Sequence, residues 1–171
     1  MKKVTVEIPD GKKLKFKDGA FVVVDDNIIE RINTWEDVVA ELGHDPSLAV
    51  KDLPKDVIAY VKLKAIAHVL NEGWEPDFTD DNQIKYYPYY YRLSDGEDKN
   101  LTEEEKNSVL LVGGDSFLGA YSGPFYALTN YAWSHAHSHI GARLAFKSKE
   151  LAKYAAVQFK EILKDFYFVT K

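Results

Sequence analysis

The sequence predicts an α+β fold: a mostly antiparallel sheet with an N-terminal β-meander, packed on two long helices. Alternating strand patterns fill residues 1–24, helical patterns cover residues 54–72 and 148–166, and further strand patterns lie between the two helices. The strands and helices do not alternate regularly, as they would in a parallel βαβ sheet. At 171 residues, with no linker-like segment, the chain is expected to form a single domain over 1–171.

The meander is predicted from alternation and from turn residues. Residues 4–8 alternate apolar and polar side chains, and residues 9–11 (Pro-Asp-Gly) are typical of a turn. A second strand leads to Asp18-Gly19, a dipeptide that predicts a tight hairpin turn. Residues 21–24 (Phe-Val-Val-Val) follow as the third strand. We therefore expect three short antiparallel strands in this region.

The helical patterns predict where the core lies. Residues 54–72 carry apolar side chains around most of the helical cylinder, so we expect this helix to be covered on several sides. Residues 148–166 begin at a capping serine, Ser148, and carry one apolar stripe. A shorter helix is predicted from a cap at Asn33 or Thr34 to a stop at Gly43.

The later strands are predicted from short runs of β-formers. Tyr86–Leu93 is predicted as an edge strand or a bulge, because Pro88 cannot donate a backbone hydrogen bond. Val109–Val112 is predicted as a short buried strand, and residues 143–146 as a last strand. Residues 115–142, rich in Gly, Ser and aromatics, are predicted to form a long loop with at most an irregular strand.

Aromatic residues are the main candidates for recognition. Tyrosine and tryptophan combine a large contact area with a polar group, so they occur both in small cores and at recognition surfaces. Alternate residues of an extended Tyr86–Tyr91 strand must face opposite ways, so some tyrosines are expected outside a one-sided sheet. The predicted contact residues are Trp74, Tyr87, Tyr89, Tyr91, Tyr126 and Trp133. The alternative is that most of these side chains form the core.

Three histidines are the candidate metal ligands. On an extended strand His135, His137 and His139 would share one face, with neighbours about 6.6 Å apart. Two imidazoles at that spacing can share a zinc or nickel ion, but a complete site would need a bend or a further ligand such as Asp115 or His68. The alternative is an incidental cluster in a polar loop. Apart from this histidine cluster, no motif in the sequence predicts a cofactor.

Composition restricts the classes of function. The chain has no cysteine, so a disulfide, a thiolate zinc site and a cysteine nucleophile are excluded. Its formal net charge of −5 argues against a duplex-DNA binder, and no apolar stretch approaches the length of a membrane span. Lys13, Lys15 and Lys17 share one strand face, which we interpret as a solvated face that protects an edge strand. Alternatively, these lysines and the tyrosines could contact single-stranded nucleic acid.

Five segments carry a resemblance to a known family: Glu30–Asp37, Ala59–Lys64, Leu70–Pro76, Lys85–Pro88 and Gly141–Ala152. They resemble a family of short uncharacterised proteins that is common in gut anaerobes and in their phages and integrated elements. The resemblance covers nearly the whole chain. It implies a phage or mobile-element setting, and hence the cytoplasm of a bacterial host or a phage particle, but no reaction and no catalytic residues.

These observations together predict a non-enzymatic, phage- or mobile-element-associated structural or binding protein. Its aromatic-rich surface would recognise a protein partner, a second copy of the chain or a small ligand, without contacting a membrane. One alternative is a small metal-dependent enzyme or metal-binding protein that uses His135, His137 and His139. A second alternative, which the net charge disfavours, is a single-stranded nucleic-acid binder.

Overall fold

A computed structural model describes residues 5–17, 19–80, 82–92, 102, 109–112, 123–132 and 144–168. Two antiparallel sheets, one of order β1-β2 and one of order β3-β5-β4, accompany the helices, so the predicted α+β class is confirmed. The elements in chain order are β1 (Lys12–Lys17), β2 (Ala20–Asp25), α1 (Ile28–Arg31), α2 (Trp35–Leu42), a 3-10 helix (Pro46–Val50), α3 (Lys55–Asn71), β3 (Lys85–Arg92), β4 (Val109–Val112), β5 (Gly123–Ala132), α4 (Lys149–Gln158) and α5 (Lys160–Tyr167).

Helix α3 lies at the centre of the core. It contacts α2, the 3-10 helix, α4 and α5, and buried side chains lie on several of its faces, as the sequence predicted. Ala59 and Leu63 of this helix and Phe159 after α4 are all buried, which confirms the predicted core. Other buried members of the same cluster are Ile28, Ile32, Val38, Ile66, Leu70, Leu144, Phe146, Leu151 and Leu163.

Helix α2 begins and ends where the sequence predicted. The Thr34 hydroxyl accepts a hydrogen bond from the Asp37 amide, and the Asp37 carboxylate accepts one from the Thr34 amide, which together form a capping box. At the other end Gly43 adopts a left-handed conformation with φ of 77°. A residue without a Cβ adopts this conformation at little cost, so the helix stops there.

The C-terminal helical segment is divided, whereas one helix was predicted over 148–166. The break falls at Phe159, whose φ of −108° and ψ of 28° depart from helical values. Its amide still donates to the Ala155 carbonyl, and its carbonyl accepts from the Leu163 amide, so hydrogen bonding continues through the break. No glycine or proline lies at this position, and the apolar stripe continues through it. The helical periodicity of the sequence therefore could not reveal the break at Phe159.

Strand β3 is an edge strand of its sheet, as Pro88 predicted. It pairs with β5 from Lys85 opposite Ala132 to Arg92 opposite Phe125. On its other side the Tyr86 amide donates to the Phe146 carbonyl at 3.0 Å, and the reverse bond is 2.6 Å. Because amides alternate along a strand, position 88 also faces away from β5, where a missing N–H breaks no bond with that strand.

Two predictions for the later strands were wrong. Residues 123–132, predicted within the 115–142 loop, form the ten-residue strand β5 between β3 and β4. The rest of that predicted loop lies outside the described residues. The predicted strand at 143–146 is reduced, over its described part, to one bridge between Phe146 and Tyr86. A central strand draws hydrogen bonds from both neighbours, so it forms despite Gly123, Pro124 and a weak pattern of its own.

The predicted meander is a two-stranded hairpin. Strands β1 and β2 pair from Lys12 opposite Asp25 to Lys17 opposite Ala20. Residues 5–8 were predicted as a further strand, but they pair with no strand and are exposed. An alternating pattern alone does not produce a β-strand, because the backbone hydrogen bonds of a strand require a neighbouring strand.

Candidate functional site

The hairpin turns its apolar face to solvent. Leu14 lies opposite Val23 and Phe16 opposite Phe21, so these four side chains share one face, which we call the apolar hairpin face. Phe16 is 61% exposed and Phe21 is 71% exposed. Their ring centroids are 5.1 Å apart in an edge-to-face arrangement. The hairpin therefore contacts the helical part of the molecule through its other face.

The lysine face of the hairpin points toward the rest of the molecule. The Lys13 ammonium is 2.7 Å from a Glu72 carboxylate oxygen, and the Lys15 ammonium is hydrogen-bonded to Glu41. The Lys17 ammonium donates to the Ala40 carbonyl at 2.9 Å. The interpretation of these lysines as a solvated face was therefore wrong. Lys13 and Lys15 form ion pairs with Glu72 and Glu41, so the lysine face of the hairpin lies against the molecule.

The hairpin register contains a signal that could have revealed this orientation. Opposite Lys13, Lys15 and Lys17 lie Val24, Val22 and Ala20, so the hairpin offers no carboxylate across from the lysines. Lys13 contacts Asp26, the residue after β2, at 3.3 Å, but its closer partner Glu72 and the partner of Lys15, Glu41, come from other parts of the chain. The sequence does not show which carboxylates those are, because Glu41 and Glu72 lie 26 and 59 residues away from their lysines.

An arginine connects these ion pairs beneath the hairpin. Arg31, at the end of α1, places one terminal nitrogen 3.0 Å from Glu41 and the other 3.0 Å from Glu72. Its side chain is only 10% exposed, so the guanidinium is largely removed from water. The Lys147 ammonium lies 3.4 Å from the second oxygen of Glu72. The ion-pair network, as we call it, consists of Lys13, Lys15, Arg31, Glu41, Glu72 and Lys147.

The network sets the protonation state of its two carboxylates. Burial by itself would raise the pKa of Glu41, but the hydrogen bonds from Lys15 and Arg31 outweigh burial and leave the pKa below its ordinary value of 4.5. For Glu72, burial would also raise the pKa, but the hydrogen bonds and positive charges of Lys13 and Lys147 together outweigh burial and lower the pKa below 4.5. The hydrogen bond between Lys13 and Glu72 raises the pKa of Lys13 above 10.5. Both carboxylates are therefore charged at neutral pH.

A cavity of about 580 Å³ opens between the hairpin and the helices. The ion-pair network lines it, together with Leu14, Leu42, His68, Val69 and Gly73. A second cavity, of about 380 Å³, lies next to it and has an aromatic wall formed by Trp74 and Phe78. His68, an exposed residue of α3, lines both cavities. We call them the charged cavity and the aromatic cavity.

The side-chain amide of Asn71 holds the segment 145–147, which lies between these cavities, in place. Asn71, the last residue of α3, is buried and donates to the Ala145 carbonyl at 2.8 Å. Its side-chain oxygen accepts from the Lys147 amide at 2.9 Å. Asn71 thus fixes the backbone that presents Ala145 to the aromatic cavity and Lys147 to the charged one. No pattern in the sequence indicates this role.

The predicted contact residues occupy different environments. Trp74 is half-buried and lines the aromatic cavity. Tyr87 is only 5% exposed and belongs to the hydrophobic core, so it is placed inside the molecule and not on the predicted surface. Tyr89 and Tyr91 lie in β3, with Tyr91 opposite Tyr126 of β5. The side chains of these three tyrosines, and the whole of Trp133, lie outside what the structure describes.

Other tyrosines join the elements of the core. The Tyr90 hydroxyl is hydrogen-bonded to the Ala156 carbonyl of α4, and burial raises the pKa of Tyr90. The Tyr154 hydroxyl donates to the Ile32 carbonyl at 2.6 Å, which ties α4 to the end of α1. The aromatic surplus therefore serves the core in part, which is the alternative that the sequence left open.

The predicted metal ligands His135, His137 and His139 lie outside the described residues, so the histidine site stays a prediction. Within the described ranges, no group of three or more His, Asp or Glu side chains is placed to hold a metal ion. In the same part of the chain no helix has both the length and the apolar character needed to cross a membrane.

The fold and these surfaces define a small α+β protein with an outward-facing apolar hairpin and a charged cavity beneath it. No family model matches the chain, and no curated protein or solved structure is similar to it. The resemblance to proteins of gut anaerobes and their phages therefore stays a prediction.

Proposed function

We propose that this chain is a non-enzymatic structural or binding protein that associates with a second copy of itself through the apolar hairpin face. One observation carries the proposal: the hairpin turns the half-buried Lys13, Lys15 and Lys17 toward the molecule and exposes Leu14, Phe16, Phe21 and Val23. In a protein that acts alone, the opposite orientation would cover apolar surface and leave the lysines in water. Contiguous exposed apolar patches mark interaction sites.

The apolar hairpin face has the properties of an interface centre. Phe16 and Phe21 already contact each other across the strands, so burying them on a partner requires little further ordering. Aromatic side chains at the centre of an interface contribute much of its binding energy. Val6 and Ile8, which precede the hairpin in sequence, are also exposed.

A second copy is the occupant that the geometry supports best. In a two-fold interface the same patch is contributed by both subunits, so one apolar face meets another apolar face. The four residues expose on the order of 400 Å² per copy, which is about half of what each partner buries in a standard interface. We therefore expect a weak dimer that forms at high protein concentration or at high local density, as in an assembling particle.

The biological setting rests on the family resemblance. A phage or mobile-element protein that self-associates would serve as a particle component or an accessory factor of the host cell. Mass spectrometry of purified virions, set beside lysate of infected cells, distinguishes these two locations. Enrichment in the virion would support the particle component, and its restriction to the lysate would support the accessory factor.

Sedimentation equilibrium of the purified chain over a wide concentration range tests self-association. We expect a monomer–dimer equilibrium, and we expect the double substitution Phe16→Ser, Phe21→Ser to give a monomer at every concentration. Because both rings are exposed in the single chain, the melting temperature at low concentration should change little.

The matched control is the double substitution Leu48→Ser, Leu53→Ser. These two leucines are also exposed but lie outside the hairpin, so the dimer should persist in this variant. A wild-type chain that stays monomeric at the highest concentration would refute the proposal. Equal loss of association in both double variants would show that the dimer forms by nonspecific hydrophobic association and not through the apolar hairpin face.

A further inference from the structure

The charged cavity has an excess of positive charge. Among the described residues it is lined by four cationic side chains, Lys13, Lys15, Arg31 and Lys147, and by two carboxylates, Glu41 and Glu72. The whole chain carries a formal net charge of −5, so this cavity has the opposite sign to the molecule. Lys13 also contacts the Asp26 carboxylate at 3.3 Å, so these four cations meet three carboxylates, and one positive charge remains in excess at the cavity.

The contacts of Glu72 leave the Lys147 ammonium weakly paired. Glu72 is shared by Lys13, Arg31 and Lys147, and the contact of Lys147, at 3.4 Å, is longer than those of Lys13 and Arg31. The side chains of Lys13 and Lys147 are each 34% exposed at the cavity. A phosphate oxygen at this position would receive charge-assisted hydrogen bonds from flexible ammonium groups above a fixed guanidinium.

The aromatic cavity supplies a different chemistry directly beside the charged one. Trp74 and Phe78 provide aromatic surface, and Lys64, His68 and Glu75 provide polar groups at the same wall. The Lys85 ammonium lies 5.2 Å from the Phe78 ring centroid, so Phe78 already engages a cation. The half-buried Trp74 is the ring on which a flat ligand can stack, since an aromatic side chain offers a stacking surface to any base.

We propose that the two cavities, joined at His68, form one groove that binds a nucleoside phosphate. The phosphate lies in the charged cavity near Lys13 and Lys147, and the base lies against Trp74. The volumes of about 580 and 380 Å³ are each within the range of small-molecule sites. Neither cavity alone accounts for such a ligand, because one supplies the charge and the other supplies the stacking surface.

Calorimetric titration at low ionic strength with adenosine monophosphate, inorganic phosphate and adenosine tests the proposal. We expect the monophosphate to bind about tenfold more tightly than either fragment, since stacking and charge act together. Trp74→Leu should reduce its affinity to about that of phosphate. Lys147→Gln should reduce its affinity to about that of adenosine and weaken the dependence on salt.

Lys51→Gln is the matched control, because Lys51 is an exposed lysine that lines neither cavity. This variant should bind as the wild type does. Adenosine monophosphate binding no better than phosphate would remove the role of Trp74 and overturn the proposal. Equal binding of adenosine, or no binding of any probe, would also overturn it. A single-stranded oligonucleotide that binds far more tightly than the mononucleotide would assign the groove to nucleic acid instead.

Discussion

At the scale of single residues, Asn71 shows how a buried polar group holds separate parts of the chain together. Its side chain satisfies one carbonyl and one amide of the segment 145–147, which is more than seventy residues away in sequence. A buried amide that makes both bonds stabilises one arrangement of the chain, because any other arrangement would leave polar groups without partners.

Replacing Asn71 by alanine should therefore destabilise the protein. The Ala145 carbonyl and the Lys147 amide would both lose a partner, and we expect the free energy of unfolding to fall by about 2–4 kcal/mol. Urea unfolding followed by circular dichroism measures this change. Asn82→Ala, at an exposed asparagine, is the control and should have almost no effect. A similar loss in both variants would contradict the role assigned to Asn71.

Tyrosines at the same scale show why a residue type does not by itself define a binding site. Tyr87 was predicted on a contact surface and is buried, whereas Phe16 and Phe21 were not predicted as contacts and are exposed. Alternation along a strand predicts that neighbouring side chains face opposite ways. It does not predict which face is covered, because that depends on which elements pack against the strand.

At the scale of elements, ion pairs contribute to holding the hairpin against the rest of the molecule. Its described contacts with the rest of the chain include ion pairs from Lys13 to Glu72 and from Lys15 to Glu41. Such contacts depend on the protonation of the carboxylates and on the ionic strength, whereas apolar packing depends on neither. The orientation of the hairpin should therefore respond to pH.

The hairpin should leave its docked position in acid. The pKa values of Glu41 and Glu72 are lower in the folded protein than 4.5, so their stabilising contribution is complete above pH 4.5 and is lost as the pH falls through the folded values. We expect the amide chemical shifts of β1 and β2 to change below about pH 4.5 before those of α3 change.

The variant Glu41→Gln tests the cause of that transition. It removes one of the two carboxylates, so the hairpin should be partly undocked at neutral pH, and the acid transition should be smaller. Glu36→Gln, at an exposed glutamate in the first turn of α2, is the control and should behave as the wild type. Hairpin shifts that stay constant down to pH 3 would contradict electrostatic docking.

At the scale of the whole molecule, one cluster around α3 joins helices from both halves of the chain. Buried residues from α1 and α2 meet those of α4 and α5 around this central helix. Stability should therefore depend much more on α3 than on the hairpin. A carboxyl group placed at the centre of this cluster has no partner and no water, whether it is charged or protonated, and its burial costs a large part of the stability of a domain.

The substitution Leu63→Asp should consequently unfold the chain. Leu63 is buried in α3, and an aspartate there would place a carboxylate in the cluster. Circular dichroism and one-dimensional NMR should show loss of helix and of side-chain dispersion. Lys64→Asp, at the adjacent exposed position, should remain folded. A folded Leu63→Asp variant would show that α3 is not the centre of the core.

The sequence by itself determined the local structure that depends on nearby residues. The capping box of α2, the stop at Gly43, the apolar cylinder of α3 and the edge position of Pro88 were all predicted correctly. In each case the cause lies within a few residues: a side chain that caps an amide, a glycine that tolerates positive φ, or a proline that lacks a donor.

Only the tertiary structure decided which faces are covered and which groups meet. The central position of β5 depends on hydrogen bonds from β3 and β4, and the orientation of the hairpin depends on Glu41 and Glu72, which belong to other elements. The charged cavity combines lysines of β1 with Arg31 and Lys147 from distant segments. A pattern along one segment contains no information about these partners, because they are brought together by packing of the whole chain around α3.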